Sequence, residues 1–271
     1  MLMLTPMGRR PSPFARSPAA VPEGRGRIDG GRRFDRMSRG AGQEEGREPA
    51  GPMAEHPRPI TTVDVALFSL RAGALEVVLI RREAPPYAGD HALPGGYVHV
   101  DEDVDTAAAA RRILRSKARI DGAWLEQLYT FSGPVRDPRG WSISVAYYAV
   151  APEAALSRLA PGAVPVAVDA VPLLAFDHNR ILAKALERIR SKATYSSLPA
   201  FLLPPEFTMS DLHRVYEQTI GVRLDRASFR RKIEDMGIVE PTGAATRGSP
   251  HRPAQLYRLT GRTLKEFERK V

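Results

Sequence analysis

The chain has 271 residues, 40 Lys and Arg against 31 Asp and Glu, and a formal charge of +9. That length suits two modest domains, and the charge favours an anionic partner without naming it. The absence of cysteine excludes a disulfide framework and a thiolate metal site; no apolar run reaches membrane-crossing length, so a soluble cytoplasmic protein with no membrane partner is expected.

Residues 1–58 are rich in Arg, Gly and Pro and almost lack periodic apolar positions, so they read as a disordered tail that buries too little surface to offset its ordering entropy. The opening MLML is too short for a signal-peptide core. Met53 stands just before the first patterned residues and offers an alternative start, so residues 1–52 are expected to be dispensable. From Ile60 the pattern changes. ITTVDVALFSL and LEVVLIRR, joined by Arg-Ala-Gly-Ala, predict a hairpin of two buried strands.

A Pro/Gly loop then leads into LPGGYVHVDEDVDTAAAARRILRSKARI, residues 93–120. The Pro-Gly-Gly turn, the acidic loop Asp101-Glu102-Asp103 and the alanine-rich helix resemble the Nudix box, with Gly96 and Glu102 fitting its opening. Val104, Ala107, Ala108 and Leu114 fall on one face at helical spacing. In Nudix hydrolases the helix carries glutamates that hold divalent metals, which require hard oxygen ligands. Here the matching positions are Arg111, Leu114 and Arg115 without a gap, Arg112, Arg115 and Ser116 shifted by one, or Ile113, Ser116 and Lys117 shifted by two. No register supplies an acid. A kept shape with lost metal chemistry is the expectation.

WLEQLYTF and WSISVAYYAV predict the next strands, separated by the turn-rich SGPVRDPRG, and VPVAVDAVPLLAF adds an apolar segment. Asp177 is a plausible N-cap for a helix in which Ile181, Leu182, Ala185 and Ile189 form the buried stripe. SKATYSSLPAFLLPP breaks that pattern and places a linker at 193–203 between domains at 59–192 and 204–271. Beyond it, Thr208 with Asp211 has capping-box spacing, and Leu212, Val215 and Tyr216 face a core. Gly221 makes a turn. A second helix from Asp225 buries Phe229, Ile233 and Met236 and carries Arg226, Arg230, Arg231 and Lys232 elsewhere. Ile238–Pro241 and Gln255–Leu259 predict two strands around the loop TGAATRGSPHRPA. Helix, turn, basic helix and Arg-tipped hairpin is the order of a winged helix-turn-helix. A small dimerisation domain with a solvated basic face is the alternative.

The series LPGGYV (93–98), EQLYTF (126–131), RDPRG (136–140), LAFDHNRIL (174–182), LLPPEFTMSDLHRVYE (202–217), FRRKI (229–233) and HRPAQLYRL (251–259) resembles the Nudix-related transcriptional regulators from about Ile60 to Leu259. The fold class expected is α+β: a Nudix-like α/β/α sandwich followed by a small winged helix-turn-helix. The resemblance implies a repressor, often of NAD-biosynthesis or salvage genes, whose degenerate Nudix domain senses ADP-ribose or a related nucleotide and then releases DNA. It implies no required cofactor, a homodimer and a palindromic double-stranded operator. Two alternatives stay open: an active ADP-ribose pyrophosphatase using Asp101, Glu102, Asp103 and Asp105, and a family regulator of sugar catabolism sensing another phosphorylated ligand.

For an ADP-ribose-like ligand, Arg136 and Arg139 suit bidentate phosphate contacts, and Arg81 or Arg82, beside the PGG turn, reaches the phosphates. Gln127, Tyr129 and Phe131 alternate along one strand and point to one face, placing an aromatic for adenine and an amide for ribose or base. Glu102 is a candidate for a ribose hydroxyl. His91, His99 and His178 are too scattered for a metal site, and His178 reads as a capping-region or packing residue. For DNA, Ser228, Arg230, Arg231 and Lys232 face the groove, and Arg247, His251 and Arg252 of the wing, with Thr208 at a helix start, meet the backbone or minor groove.

Overall fold

The computed structural model describes residues 58–246, 253–261, 263–268 and 271. The tail with Met53, and the wing residues Arg247, His251 and Arg252, lie outside them. Strands β1 (Ile60–Arg71) and β2 (Ala74–Arg81) form the expected hairpin, turning at Ala72 and Gly73, whose φ values are 49° and 85°. β1 lacks alternation because both its faces are covered: Val63, Val65 and Leu67 pack on one side, Ala66 and Phe68 on the other.

The main sheet runs β3-β2-β1-β6-β5, where β3 is His91–Ala92, β5 Trp124–Gly133 and β6 Ser142–Val150. β7 (Ala163–Ala167) pairs with β2, and β4 (Gly95–Tyr97) with β1. β1 and β6 are parallel; the other pairs are antiparallel. Along one edge β1 takes two partners in turn, β4 at Thr62–Asp64 and β2 at Phe68–Arg71. The sheet splits there, at the LPGG turn.

Helix α1 (Thr106–Ile113) covers one face of the sheet and α2 (His178–Ala193) the other, giving the α/β/α sandwich expected from the sequence. Asp105 starts α1, its carboxylate accepting from the Ala108 N–H at 2.6 Å. The buried face of α1 differs from the one expected. Ala109, Ala110, Ile113 and Leu114 are buried, whereas Val104 lies before the helix and is 92% exposed. The apolar spacing was counted from a loop residue, which shifts the stripe. After Ile113 the helix widens into a π turn, Leu114–Ala118, closed by Arg119 at φ 56°.

The C-terminal part is a winged helix: α3 (Met209–Ile220), α4 (Arg226–Asp235), and β8 (Phe207–Thr208), β10 (Gln255–Leu259) and β9 (Val239–Ala245) sheeted in that order. The Thr208–Asp211 capping box forms, Gly221 closes α3 at φ 83°, and Asp225 caps α4 through the Ser228 N–H at 2.9 Å. β8, preceding the first helix, was too short to show in the sequence.

Residues 193–203, expected as a linker, are packed: Ala193, Leu198, Pro199, Ala200 and Leu202 are buried. A single cluster of buried side chains runs from Phe68 and Tyr148 through Ile181, Ile189 and Leu198 to Leu212, Tyr216 and Phe229. The Tyr216 hydroxyl donates to the Ser196 carbonyl at 2.9 Å, and Phe267 and Val271 donate backbone N–H groups to Tyr195 and Thr194. Among the described residues no helix is long and apolar enough to cross a membrane. Because the core is shared, Phe68→Ala at one end and Phe229→Ala at the other are each expected to cost about 3–5 kcal/mol. Both should lower one common thermal transition; two separately resolved transitions in calorimetry would show that the halves unfold independently.

Candidate functional site

A cavity of about 650 Å³ opens where the sheet splits, walled by β1, the LPGG turn, α1, the β5–β6 loop and the start of α2. Its floor is a buried ion cluster. Arg136, 8% exposed, donates Nη2 to Asp177 Oδ1 at 2.9 Å, lies 3.6 Å from Asp64 Oδ2, and donates Nη1 to the Ser142 hydroxyl at 3.2 Å. Ser144 donates its hydroxyl to Asp64 at 2.6 Å. His178 is fully buried, and its Nδ1 accepts from the Leu93 N–H at 3.0 Å. The other nitrogen therefore carries the proton and faces Asp64 Oδ1 at 3.4 Å. Desolvation holds the imidazole pKa below its ordinary value.

This arrangement corrects two expectations. Asp177 occupies the N-cap position of α2, but its side chain makes no capping bond and pairs with Arg136 instead. Arg136 itself is spent on two carboxylates and a hydroxyl, so it braces the cavity rather than offering a free fork to a phosphate. Arg139 is likewise engaged: it grips Asp137 through Nε and Nη2 at 3.0 and 2.7 Å, within the turn Asp137-Pro138-Arg139-Gly140, and donates to the Tyr97 hydroxyl. That pairing lowers the Asp137 pKa and raises that of Arg139.

Arg82 and Arg139 both lie against the Phe176 ring, at 4.7 and 5.7 Å from its centroid. Phe176 holds φ at 57°, an unusual value for a bulky residue, and Tyr87 and His178 pack near its ring. Arg82 donates only to the backbone carbonyls of Pro86 and Ala84, and burial with the neighbouring Arg139 lowers its pKa. Among the described residues it forms no ion pair with a carboxylate.

On the helix side the cavity is lined by Arg112, Ile113, Ser116 and Lys117. Three of the four loop acids are already occupied. Arg112 clamps Asp103 at 2.9 and 2.7 Å, holding its pKa down to about 2, and reaches the Tyr97 carbonyl. Glu102 takes His99 at 2.9 Å, and Asp105 caps α1. These residues do not fit a carboxylate-bound divalent metal: Arg112 and Ile113 of α1 and Ser116 and Lys117 of the π turn, which face the cavity, include no acid.

Of the ligand candidates, Arg82, Glu102, Arg136 and Arg139 meet in this cavity, and Arg81 lines a neighbouring one. Gln127, Tyr129 and Phe131 are not among its lining residues. A bulge at Leu128 breaks the expected alternation, so Gln127 pairs with Tyr147 while Tyr129 and Phe131 pair with Ala146 and Ser144 on the opposite face. Phe131 is 8% exposed and belongs to the core; Tyr129 and Gln127 are exposed on the edge strand. Reasoning from sequence missed Asp64 and Phe176 and undervalued His178. A lone carboxylate within the apolar run of β1 was the available signal.

In the winged helix, Phe229 and Ile233 are buried and Arg230 and Arg231 exposed, as expected. Arg230 is tied to Glu234 one turn on, at 2.9 Å. Lys232 is half-buried. Thr208 and Ser228 are both engaged in the caps that start α3 and α4.

Comparison with known proteins places these features. A family model described as the NrtR DNA-binding winged helix domain matches residues 199–259. A protein of Acinetobacter baylyi described as the ADPR responsive transcriptional repressor NtrR is 38% identical over 211 residues, 76% of this chain and 84% of its own length. The crystal structure of Shewanella oneidensis NrtR complexed with a 27mer DNA matches with a TM-score of 0.70 at 32% identity, over 78% of this chain and 99% of that one. An ADP-ribose pyrophosphatase of Methanocaldococcus jannaschii is 32% identical over 109 residues, 40% of this chain and 63% of its own.

The packing of the LPGG turn generates a test. A methyl on Gly95 would stand 2.0 Å from Asp64 Oδ1, whereas one on Gly96 meets Ile113 at an ordinary 3.7 Å. Gly95→Ala is expected to destabilise by about 1–3 kcal/mol, read as a lower urea midpoint, and Gly96→Ala by much less. Equal midpoints for the two variants would mean that Asp64 moves aside freely.

Proposed function

The chain belongs to the family of ADP-ribose-responsive NrtR repressors, and from that premise we propose that residues 59–192 sense ADP-ribose or a closely related nucleotide while 204–271 bind an operator that the filled sensor releases. We further propose a homodimer on a palindromic site, controlling genes of NAD biosynthesis or salvage. A dimer doubles the few base pairs that one α4 reads.

The observation that carries the reading is the charge of the α1 face. Arg112, Ser116 and Lys117 stand towards the cavity where a hydrolase needs carboxylates, and the nearby acids are bound to Arg112, to His99 and to the start of α1. Fixed cations attract a diphosphate as a metal would, but they do not generate a metal-bound hydroxide. Lys117 and Arg82 are suited to the phosphates, and Phe176 offers an aromatic face beside them. The site binds without turning over. Although a pyrophosphatase is among the relatives, no hydrolysis of ADP-ribose with magnesium or manganese is expected; turnover near 1 per second or faster, an ordinary enzymatic rate, would overturn this.

Coupling gives a second check. Occupancy of the sensor and of DNA must weaken one another by the same factor, because the coupling free energy is shared. Calorimetry of ADP-ribose binding with and without operator, paired with operator titrations with and without ADP-ribose, measures both factors. Lys117→Ala is expected to weaken ADP-ribose binding and to leave operator affinity without ligand unchanged. An ADP-ribose that binds but never shifts operator affinity would sink the sensor reading.

On the DNA side, Arg231 and Arg230 are the residues on α4 suited to base edges. An arginine bidentate to guanine is worth about 1–3 kcal/mol of discrimination. Glu234 already holds Arg230, so Arg231→Ala is expected to relax base preference more than Arg230→Ala, and Glu234→Ala to tighten binding. A base-substitution scan of the operator against each variant reads this. Loss of thermal stability alone, with base preference intact, would assign both arginines a structural role.

A further inference from the structure

A second cavity of about 420 Å³ lies against the first, and Arg82, Ala84, Leu93, Gly95, Ser116 and Lys117 line both. Its remaining walls bring in Arg81 from the end of β2, Arg119 from the end of the π turn, and Ala160–Pro161 opposite. The walls are tied by backbone bonds. Ala160 donates to the Ala118 carbonyl at 3.3 Å, Arg81 donates to Gly162 at 2.9 Å, and Ile120 donates to Leu114 at 3.1 Å. Arg119 owes its position to the wide turn, which ends in its left-handed backbone conformation.

The charges of this second cavity are unbalanced. Around the first, each of three arginines has its carboxylate: Arg136 with Asp177, Arg139 with Asp137, Arg112 with Asp103. The second is lined by Arg81, Arg82, Lys117 and Arg119 against the single acid Glu83. Among the described residues none of these four cations forms an ion pair, and Arg81 and Arg82 donate only to backbone carbonyls. Like charges lining one concavity create a positive potential there that attracts an anion.

We propose that this second cavity is a separate subsite for a phosphate monoester, so that the sensor's ligand class extends to ADP-ribose-type nucleotides bearing a third phosphate. It rests on the reading that the first cavity takes the diphosphate. Arg82 and Lys117 stand at the shared wall and serve both anionic groups, whereas Arg81 and Arg119 serve the added phosphate alone. Arginine forks give a monoester charge-assisted bonds that a neutral ribose hydroxyl does not offer in kind.

The test is calorimetry on the full chain with ADP-ribose and with ADP-ribose 2′-phosphate, using Arg81→Gln and Arg119→Asn as variants. Asn tolerates the left-handed backbone at 119, so both replacements remove charge while keeping the local conformation. The expected result is roughly tenfold or tighter binding of the phosphorylated nucleotide; each variant should lose that preference and keep its affinity for ADP-ribose. Equal affinities for the two nucleotides in the native chain would overturn the subsite and leave the first-cavity reading standing. Failure of both nucleotides to bind would overturn that reading instead, and inorganic phosphate then decides the subsite. A rise in melting temperature with phosphate that the Arg81→Gln, Arg119→Asn double variant lacks supports it, and no rise in the native chain refutes it.

Discussion

Arg136 is buried between Asp64 and Asp177, and three walls of the cavity meet at that contact. A guanidinium removed from water is tolerated only with its charge matched and its donors satisfied. Here the matching groups come from β1 and the start of α2, while the cation comes from the loop joining β5 to β6. The one ion cluster thereby fixes three separate pieces of chain. It also explains Gly95: the Asp64 carboxylate is drawn so close to the LPGG turn that a side chain at this position has no room. The Pro-Gly-Gly signature is thus a packing requirement, set by a charge thirty-odd residues earlier, as much as a ligand-binding one.

The helix held by this cluster also leads to the DNA-binding half. At its start α2 is fastened by Asp177 to Arg136 and by His178 to the Leu93 N–H of the cavity turn. Near its end Lys192, buried beside Trp124, contacts Glu126 at 2.6 Å and Glu266 at 3.2 Å. Burial works against the Lys192 charge, but these two carboxylates win and raise its pKa. Ser196, a turn later, receives the buried Tyr216 hydroxyl of α3. A displacement at the cavity end has a stiff route to α3, because α2 is anchored at both ends and the core around it is continuous. A tenfold change in operator affinity needs about 1.4 kcal/mol of difference between two arrangements, a demand small beside the contacts α2 makes.

How much of this was legible in the sequence depended on range. The hairpin at Ala72 and Gly73, the Thr208–Asp211 capping box, the Gly221 stop and the Phe229/Ile233 stripe are governed by residues within a few positions, and each was readable. The partners of Arg136 are not local: Asp177 lies 41 residues on, and Asp64 reaches it from another strand. From sequence Arg136 and Arg139 looked alike, two arginines in one turn, yet one turned out to be buried bracing and the other a local pair with Asp137. The bulge at Leu128 was invisible for another reason. Alternation in EQLYTF assumes an unbroken pleat, and a bulge carries no mark in composition while it moves Gln127 to the other face from Tyr129 and Phe131.

On the proposed reading, a helix face without metal ligands need not leave such a site empty. A divalent ion supplies two positive charges and an activated water, and only the second is chemistry. Lys117 retains charge in covalently fixed form, while Arg112 is committed to Asp103. On the proposed reading this separation is useful to a sensor. A ligand that is bound but not consumed reports its concentration through occupancy, and occupancy is what the coupling to DNA requires. Arg112 has a further consequence at the level of the fold. By gripping Asp103 and the Tyr97 carbonyl it ties the acidic loop to the helix, so the loop that would have delivered Glu102 to a metal is held instead by a cation of the neighbouring helix. On the proposed reading, the cation that stands where a metal ligand would be also supplies the order that keeps the loop's shape.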